Sequence, residues 1–305
     1  MKRPVRLKKG DAVGVVAPAG VVDPEILEKG LGSLKRMGFC PVVAGHVCSR
    51  DRYFAGTDEE RAGDLQTLFE NPEIKGIFCA RGGYGANRIL SHLNPVIIRK
   101  NPKVFVGSSD ITLLLLFLVQ QCSLVAFHGP MVAGNFGRYP MSRSKSQFRA
   151  ILSGDRKGKR LTARSARVFR SGTAEGKVTG GCLTLLCRSL GTPWEVKSRN
   201  RILLIEDVNE PLYRIDGMLW QLKQAGKFKG VRGIVFGEMV NCLPSGYADG
   251  SFKDVLHDVF ADSSFPILMN FPSGHGQEML TLPIGVSAKL DAKAKTLDFE
   301  NCGVL

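Results

Sequence analysis

No run of apolar residues in this sequence is long enough to cross a bilayer as a helix. The most apolar stretch, residues 111–119, spans nine residues and stops at Gln120 and Gln121, against roughly 20 needed. The start, M-K-R-P-V-R-L-K-K-G-D, is basic, but Gly14, Pro18 and Gly20 interrupt residues 13–22, which read as a strand and turn rather than a signal-peptide core. A cytoplasmic location and no membrane partner are therefore expected. Paired-cysteine spacing is missing as well: the eight cysteines are scattered, none forms C-x-x-C, and Cys182 and Cys187 lie five apart with no histidine nearby. A chain of 305 residues can bury a core without disulfide staples, so reduced thiols are expected, several of them in the core. No H-E-x-x-H or similar clustered ligand spacing appears, which leaves no metal and no cofactor expected. Internal repeats and low-complexity tracts are absent too.

Charge is what the chain has in excess, a formal +14. Basic surfaces attract phosphates, yet the lysines and arginines are spread out and no nucleic-acid motif accompanies them. The densest cluster, residues 143–164, reads as a helix ending in a turn, followed by a solvated link. Nucleic acid is not the expected partner; a basic face that draws in a small anionic substrate is.

The first half alternates short β-branched runs with helical patterns. Residues 12–17 read as a strand, and residues 24–37 as a helix with Ile26, Leu27, Leu31 and Leu34 on one face, closed by Gly38. Thr57 and Glu60 form a capping box ahead of Ala62, Leu65, Leu68 and Phe69. Strands at 76–80 and 104–106, each followed by a helix, continue the pattern. This repetition predicts an α/β fold whose amino-terminal layered domain has a mostly parallel sheet. Composition shifts at residues 154–164, so residues 1–155 are assigned to this domain, 156–170 to a link and 171–305 to a smaller carboxy-terminal domain. Beyond residue 164, short strands at 166–169, 176–179, 201–205, 233–236, 286–291 and 296–299 surround one good helix, 213–225. A mixed-sheet or barrel-like architecture is expected.

The candidate chemistry begins with V-F-V-G-S-S-D-I-T. Val104-Phe105-Val106 is a buried strand, Gly107 permits a sharp turn, and a helix starts near Asp110. Ser109 then stands at the carboxyl end of a parallel strand, where such folds place their sites, with the Asp110 amide directed at an oxyanion. The mechanics resemble a nucleophile elbow, although G-x-S-x-G is absent. An ordinary helix cap is the alternative, and Ser108 competes as nucleophile. R-G-G-Y-G-A-N-R, residues 81–88, follows a strand and precedes a helix; its glycines fit a second oxyanion donor near Gly83 better than a dinucleotide site, because G-x-G-x-x-G is not matched. Glu206 and Asp207 end the apolar strand 202–205, where a carboxylate can orient an imidazole, with Glu210 a further candidate beside Pro211. His275 lies between Gly274 and Gly276. Of the other histidines, His46 and His257 read as peripheral and His92 as helical, while His128 in F-H-G-P-M is the rival base.

Seven segments in order then resemble one family. They are G-D-A-V-G-V-V-A-P-A-G near the start, A-R-G-G-Y-G-A-N-R-I-L at 80–90, V-G-S-S-D-I-T at 106–112, F-H-G-P-M at 127–131, G-K-V-T-G-G-C-L at 176–183, L-L-I-E-D-V-N-E-P-L-Y-R-I-D at 203–216, and G-H-G-Q-E-M-L-T-L-P-I-G at 274–285. The chain resembles the LD-carboxypeptidases, serine peptidases that include murein tetrapeptide carboxypeptidases and a sister branch of microcin C self-immunity peptidases. The resemblance implies a Ser109–Glu206–His275 triad, with oxyanion donors from the amides of Gly83 and Asp110. It implies the serine on an amino-terminal domain, the other two on a carboxy-terminal domain, and a homodimer. The implied substrate is a small peptide derived from peptidoglycan, cut at its terminal D-alanine during wall recycling. The sister branch implies the alternative, cleavage of peptidyl- or aminoacyl-nucleotide conjugates. A non-catalytic small-ligand-binding protein on the same fold is a third reading, separable by an active-serine probe. Three positions depart from the family pattern: Ser108 where tyrosine is common, Cys182 where G-G-N-L has asparagine, and Gly217 where arginine is frequent.

Overall fold

The computed structural model describes residues 1–242 and 250–305. In chain order the elements begin β1 (Ala12–Val16), α1 (Pro24–Arg36), β2 (Cys40–Val43), α2 (Asp58–Glu70), β3 (Ile74–Cys79), α3 (Ala86–Ile89), α4 (Pro95–Lys100) and β4 (Val104–Gly107). They continue with α5 (Thr112–Gln120), β5 (Ala126–His128), α6 (Ser142–Leu152), β6 (Arg160–Thr162), β7 (Arg167–Arg170), β8 (Thr173–Cys182), α7 (Leu183–Arg188) and β9 (Arg201–Val208). The last are α8 (Leu212–Gln224), β10 (Gly233–Val240), α9 (Phe252–Phe260), β11 (Ile267–Met269), β12 (Leu282–Ile284), β13 (Ser287–Asp291) and β14 (Thr296–Phe299). They fall into two units. The first comprises Met1–Lys159, Gln277–Gly285 and Asn301–Leu305, and the second Arg160–Gly276 and Val286–Glu300.

The first unit holds a sheet of order β12-β5-β4-β3-β1-β2, in which β2, β1, β3, β4 and β5 run parallel and β12 is antiparallel at the edge. Its central strands are buried along nearly their whole length, as a sheet with both faces covered requires. The helices start where local chemistry satisfies their free N–H groups. Asp23 accepts from the amides of Glu25 and Ile26 ahead of Pro24, and Thr57 and Glu60 form the reciprocal capping box of α2. Helix α5 buries eight of its nine residues, Thr112 to Val119, and has almost no polar face. Parallel pairing delivers the carboxyl ends of β3 and β4 to the same edge, where the loops after Cys79 and Gly107 meet.

The second unit holds a sheet of order β6-β14-β13-β8-β9-β10-β11-β7. Strands β8 to β11 are parallel, and antiparallel partners flank them on both sides. It is a mixed sheet running in one line from β6 to β7, the mixed-sheet form rather than the barrel-like one. Strand β8 is ten residues long because it serves two partners: Lys177 to Cys182 pair with β9, and Thr173 to Lys177 pair with β13. Residues 156–170, expected as a link, contain a 3₁₀ turn and the two outermost strands: β6, which was not expected, and β7, which matches the strand expected at 166–169. Edge strands are short and charged because one rim faces solvent, so their composition imitates that of a linker. The carboxy-terminal region is also divided differently from the expected 171–305. Gln277–Gly285 belongs to the first unit because Leu282 to Ile284 pair with β5.

Candidate active site

Ser109 follows β4 at the junction with α5. Ser108 is extended, with φ −154°, and buried at 2% exposure, whereas Ser109 is partly exposed and takes φ +60°. A left-handed backbone at a non-glycine residue is strained, and strain of this kind concentrates at functional sites. A 3₁₀ turn, Ser109–Ile111, leads into α5, which starts at Thr112, two residues after the start expected near Asp110. The Asp110 side chain is buried and its Oδ2 accepts from the Ala86 amide at 2.7 Å, which ties the loop 81–85 to the serine turn. That loop approaches closely at Gly82. A Cβ there would lie 2.8 Å from Ser109 Cβ, 3.0 Å from its Oγ and 3.1 Å from the Asp110 nitrogen, so the backbone of this loop forms the wall beside the serine. Gly83, exposed and at φ +107°, is the next residue along that wall.

Glu206 and His275 meet in the second unit. Glu206 is fully buried inside β9, which continues to Val208, and its Oε2 lies 2.6 Å from His275 Nδ1. Burial by itself lowers the histidine pKa. The Glu206 charge and hydrogen bond, with a contribution from Asp207, outweigh it, and the net direction is upward. The approach depends on Gly274, at φ +130°, where a Cβ would stand 2.8 Å from Glu206 Oε2. Ser109, Asp110 and Gly83 belong to the first unit, Glu206 and His275 to the second.

The competing residues have other engagements. Asp207 Oδ2 accepts from both the amide and the hydroxyl of Thr184 at 2.8 Å, anchoring the start of α7, and burial raises its pKa. Glu210 pairs with Arg214 at 3.4 Å near the surface. His128 is wholly buried in β5, in register with Gly107 and Leu282. His46 sits against Asp64, and His257 against the Phe169 ring. Cys182, at the end of β8, places its Sγ 3.6 Å from Asp207 Oδ1. Among the described residues no group of three or more metal-ligating side chains occurs, and no helix is long and apolar enough to cross a membrane.

One nearby carboxylate escaped the sequence reading. Glu238 follows Gly237 in β10, beside β9, and a Cβ on Gly276 would collide with its Oε2. Burial first, then the Glu206 charge, raise its pKa against the lowering effect of a hydrogen bond from Gly276. The available signal was a second apolar strand ending in an acid, I-V-F-G-E, parallel to I-L-L-I-E-D.

Two family models match the chain in series. Residues 13–129 match the LD-carboxypeptidase N-terminal domain and residues 175–290 the LD-carboxypeptidase C-terminal domain. The chain belongs to the LD-carboxypeptidase family. A probable murein peptide carboxypeptidase of Bacillus subtilis is 36% identical over 302 residues, covering 98% of this chain and 94% of that protein. The crystal structure of muramoyltetrapeptide carboxypeptidase from Oxalobacter formigenes superposes with a TM-score of 0.83 at 30% identity, covering 94% of this chain and 98% of the other. A variant of the microcin C7 self-immunity protein MccF in complex with adenosine monophosphate superposes with a TM-score of 0.91 at 26% identity, covering 98% of each chain. Membership of this peptidase family and the names of these relatives support a carboxypeptidase that processes murein peptides.

Proposed function

We propose that this LD-carboxypeptidase family member is a serine enzyme that removes the terminal D-alanine from peptidoglycan tetrapeptides, with Ser109, Glu206 and His275 as its triad. The contact of 2.6 Å between Glu206 Oε2 and His275 Nδ1 is the observation that supports it most. A proton held on Nδ1 by the carboxylate leaves Nε2 as the basic nitrogen, which is the tautomer a general base needs.

In the first step Ser109 Oγ attacks the scissile carbonyl carbon and its proton passes to His275 Nε2. The oxyanion is held by the amides of Gly83 and Asp110. Collapse breaks the C–N bond, and His275 returns the proton to the departing amine of D-alanine. Water then attacks the acyl-serine as its proton passes to His275, the ester C–O bond breaks, and His275 returns that proton to Ser109 Oγ. Glu206 stays ionised throughout and stabilises the transient imidazolium. No metal or cofactor enters these steps. The same reading carries a homodimer acting in the cytoplasm, which light scattering and cell fractionation test.

A second reading, cleavage of peptidyl- or aminoacyl-nucleotide conjugates, is favoured by the TM-score of 0.91 to the MccF variant holding adenosine monophosphate. Incubating the protein with a muropeptide tetrapeptide and with a peptidyl-nucleotide conjugate, and following products by mass, separates the two. Loss of one alanine residue from the tetrapeptide supports the first. Cleavage of the conjugate alone moves the assignment to the second, and inertness towards both rejects the pair.

A further inference from the structure

A basic cavity in the first unit opens beside the glycine loop that walls Ser109. It has a volume of about 590 Å³ and is lined by Arg50, Arg52, Tyr53, Arg81, Gly83 and Tyr84, among others. Among the described residues that line it, none is acidic; Asp51 Oδ2 lies 3.4 Å from Arg52 Nη2. Three guanidinium groups around one opening repel one another, and an oxyanion is the ligand that relieves this.

The walls are built to hold that geometry. Asp51 and Phe54 exchange backbone hydrogen bonds of 3.0 and 2.8 Å across a tight turn, and Arg52 within it takes φ +55°. The turn is fastened to the segment after β1, because the Val21 amide donates to Tyr53 O at 3.1 Å and the Ala55 amide to Ala19 O at 3.0 Å. The opposite wall is fastened to the same segment through the Gly20 amide, which donates to Gly82 O at 3.0 Å. Arg81 Nη1 donates to Val21 O at 2.8 Å, and its Nη2 lies 3.6 Å from where a Cβ on Gly83 would be. One edge of this guanidinium is thus committed, leaving N–H groups for the bidentate grip that suits a carboxylate or phosphate. The Tyr53 and Tyr84 rings, with centroids 5.9 Å apart, complete the opening.

We propose that this cavity is an oxyanion subsite, with Arg81 as its principal ligand, that binds the anionic group carried by the part of the substrate leaving Ser109. The proposal rests on the peptidase reading. The carboxylate of a departing terminal residue lies two bonds beyond the scissile nitrogen, within one residue spacing of the attacked carbon. Gly82 touches Ser109, and Gly83, about 3.8 Å further along the chain, lines the cavity. An enzyme confined to chain ends needs such a charge at this distance. A phosphate or phosphoramidate in a nucleotide conjugate presents the same chemistry.

Titration calorimetry of the full-length protein with D-alanine, D-alaninamide and inorganic phosphate tests the subsite without requiring turnover. Hydrolysis of the tetrapeptide and of its carboxy-terminal amide is measured beside it. Arg81→Gln and, as an independent variant, Arg52→Gln are expected to weaken anion binding about 10- to 100-fold, with D-alaninamide bound weakly by every form. The amide peptide is expected to be cut at least about 10-fold less efficiently than the acid by the wild type, a gap that closes in Arg81→Gln. Binding of D-alanine identifies a carboxylate as the occupant and binding of phosphate alone identifies a nucleotide conjugate; both support the subsite. Anion binding unchanged by both substitutions, or none detectable, overturns it. Intact anion binding in a protein that cuts neither substrate rejects the peptidase reading instead and leaves the subsite standing.

Discussion

His275 Nδ1 lies 2.6 Å from Oε2 of the fully buried Glu206, a pair in which two opposed effects act on one imidazole. Burial pushes the histidine pKa down and the carboxylate pushes it up by more. If His275 is the base, as proposed, it must lose its proton to act, and the acid limb of kcat/KM should therefore lie above the ordinary histidine value of about 6.5. Glu206→Gln removes the charge and keeps the shape, leaving burial dominant, so that limb should move below about 6.5 while kcat falls roughly 10³- to 10⁴-fold. Rates of tetrapeptide hydrolysis from pH 5 to 9, pH values set by the ~6.5 reference, read both effects. An acid limb that stays in place shows that another group is titrating.

Ser109 at φ +60° makes a second expectation, one that separates stability from activity. Glycine accepts a left-handed backbone without the side-chain penalty, so Ser109→Gly should abolish hydrolysis yet stabilise the fold by about 1 kcal/mol. Thermal melts alongside turnover check it. A variant that melts clearly lower would show that the serine side chain contributes more packing than strain.

Glu238 connects the fold to pH. Its folded pKa is raised, by burial and then by Glu206, so the folded state holds the proton more tightly than the unfolded chain. Ionisation of Glu238 therefore opposes folding: its cost is absent below the unfolded value near 4.3, grows as pH rises through the window up to the raised folded value, and stays constant above. Glu238→Gln cannot ionise, and its stability relative to wild type should increase across that window and then level off. Urea unfolding at pH 4, 6 and 8, values bracketing that ~4.3 reference, measures the difference. A difference that stays flat with pH would mean Glu238 titrates as it does in the unfolded chain.

The layered unit was legible because its signals are local. The capping box at Thr57 and Glu60, the stripe of Ala62, Leu65, Leu68 and Phe69, and the glycine-marked junction before Ser109 each sit within a few residues of the element they specify. What escaped depends on pairing between distant segments. Nothing in R-L-T or R-V-F-R shows that Arg160–Thr162 and Arg167–Arg170 occupy opposite ends of one sheet, since edge strands carry the polarity of linkers. Nor does T-L-P-I-G show that Leu282 pairs with His128 of the first unit. The same holds in the site. Glu206 was legible as an acid on an apolar strand, but its depth within β9 and the closeness of Glu238 follow from the parallel register of β9 with β10. The loop 81–85 was legible as glycine-rich, whereas the contact of Gly82 with Ser109 needed the pairing of β3 with β4.

Release of D-alanine from a muropeptide tetrapeptide, followed by mass for the wild type and for Ser109→Ala at equal folded concentration, bears most directly on the assignment of this serine. Alanine release by the wild type, lowered roughly 10⁴-fold or more in the variant, is the expected result. Comparable release by Ser109→Ala would contradict it and move the nucleophile elsewhere in the chain.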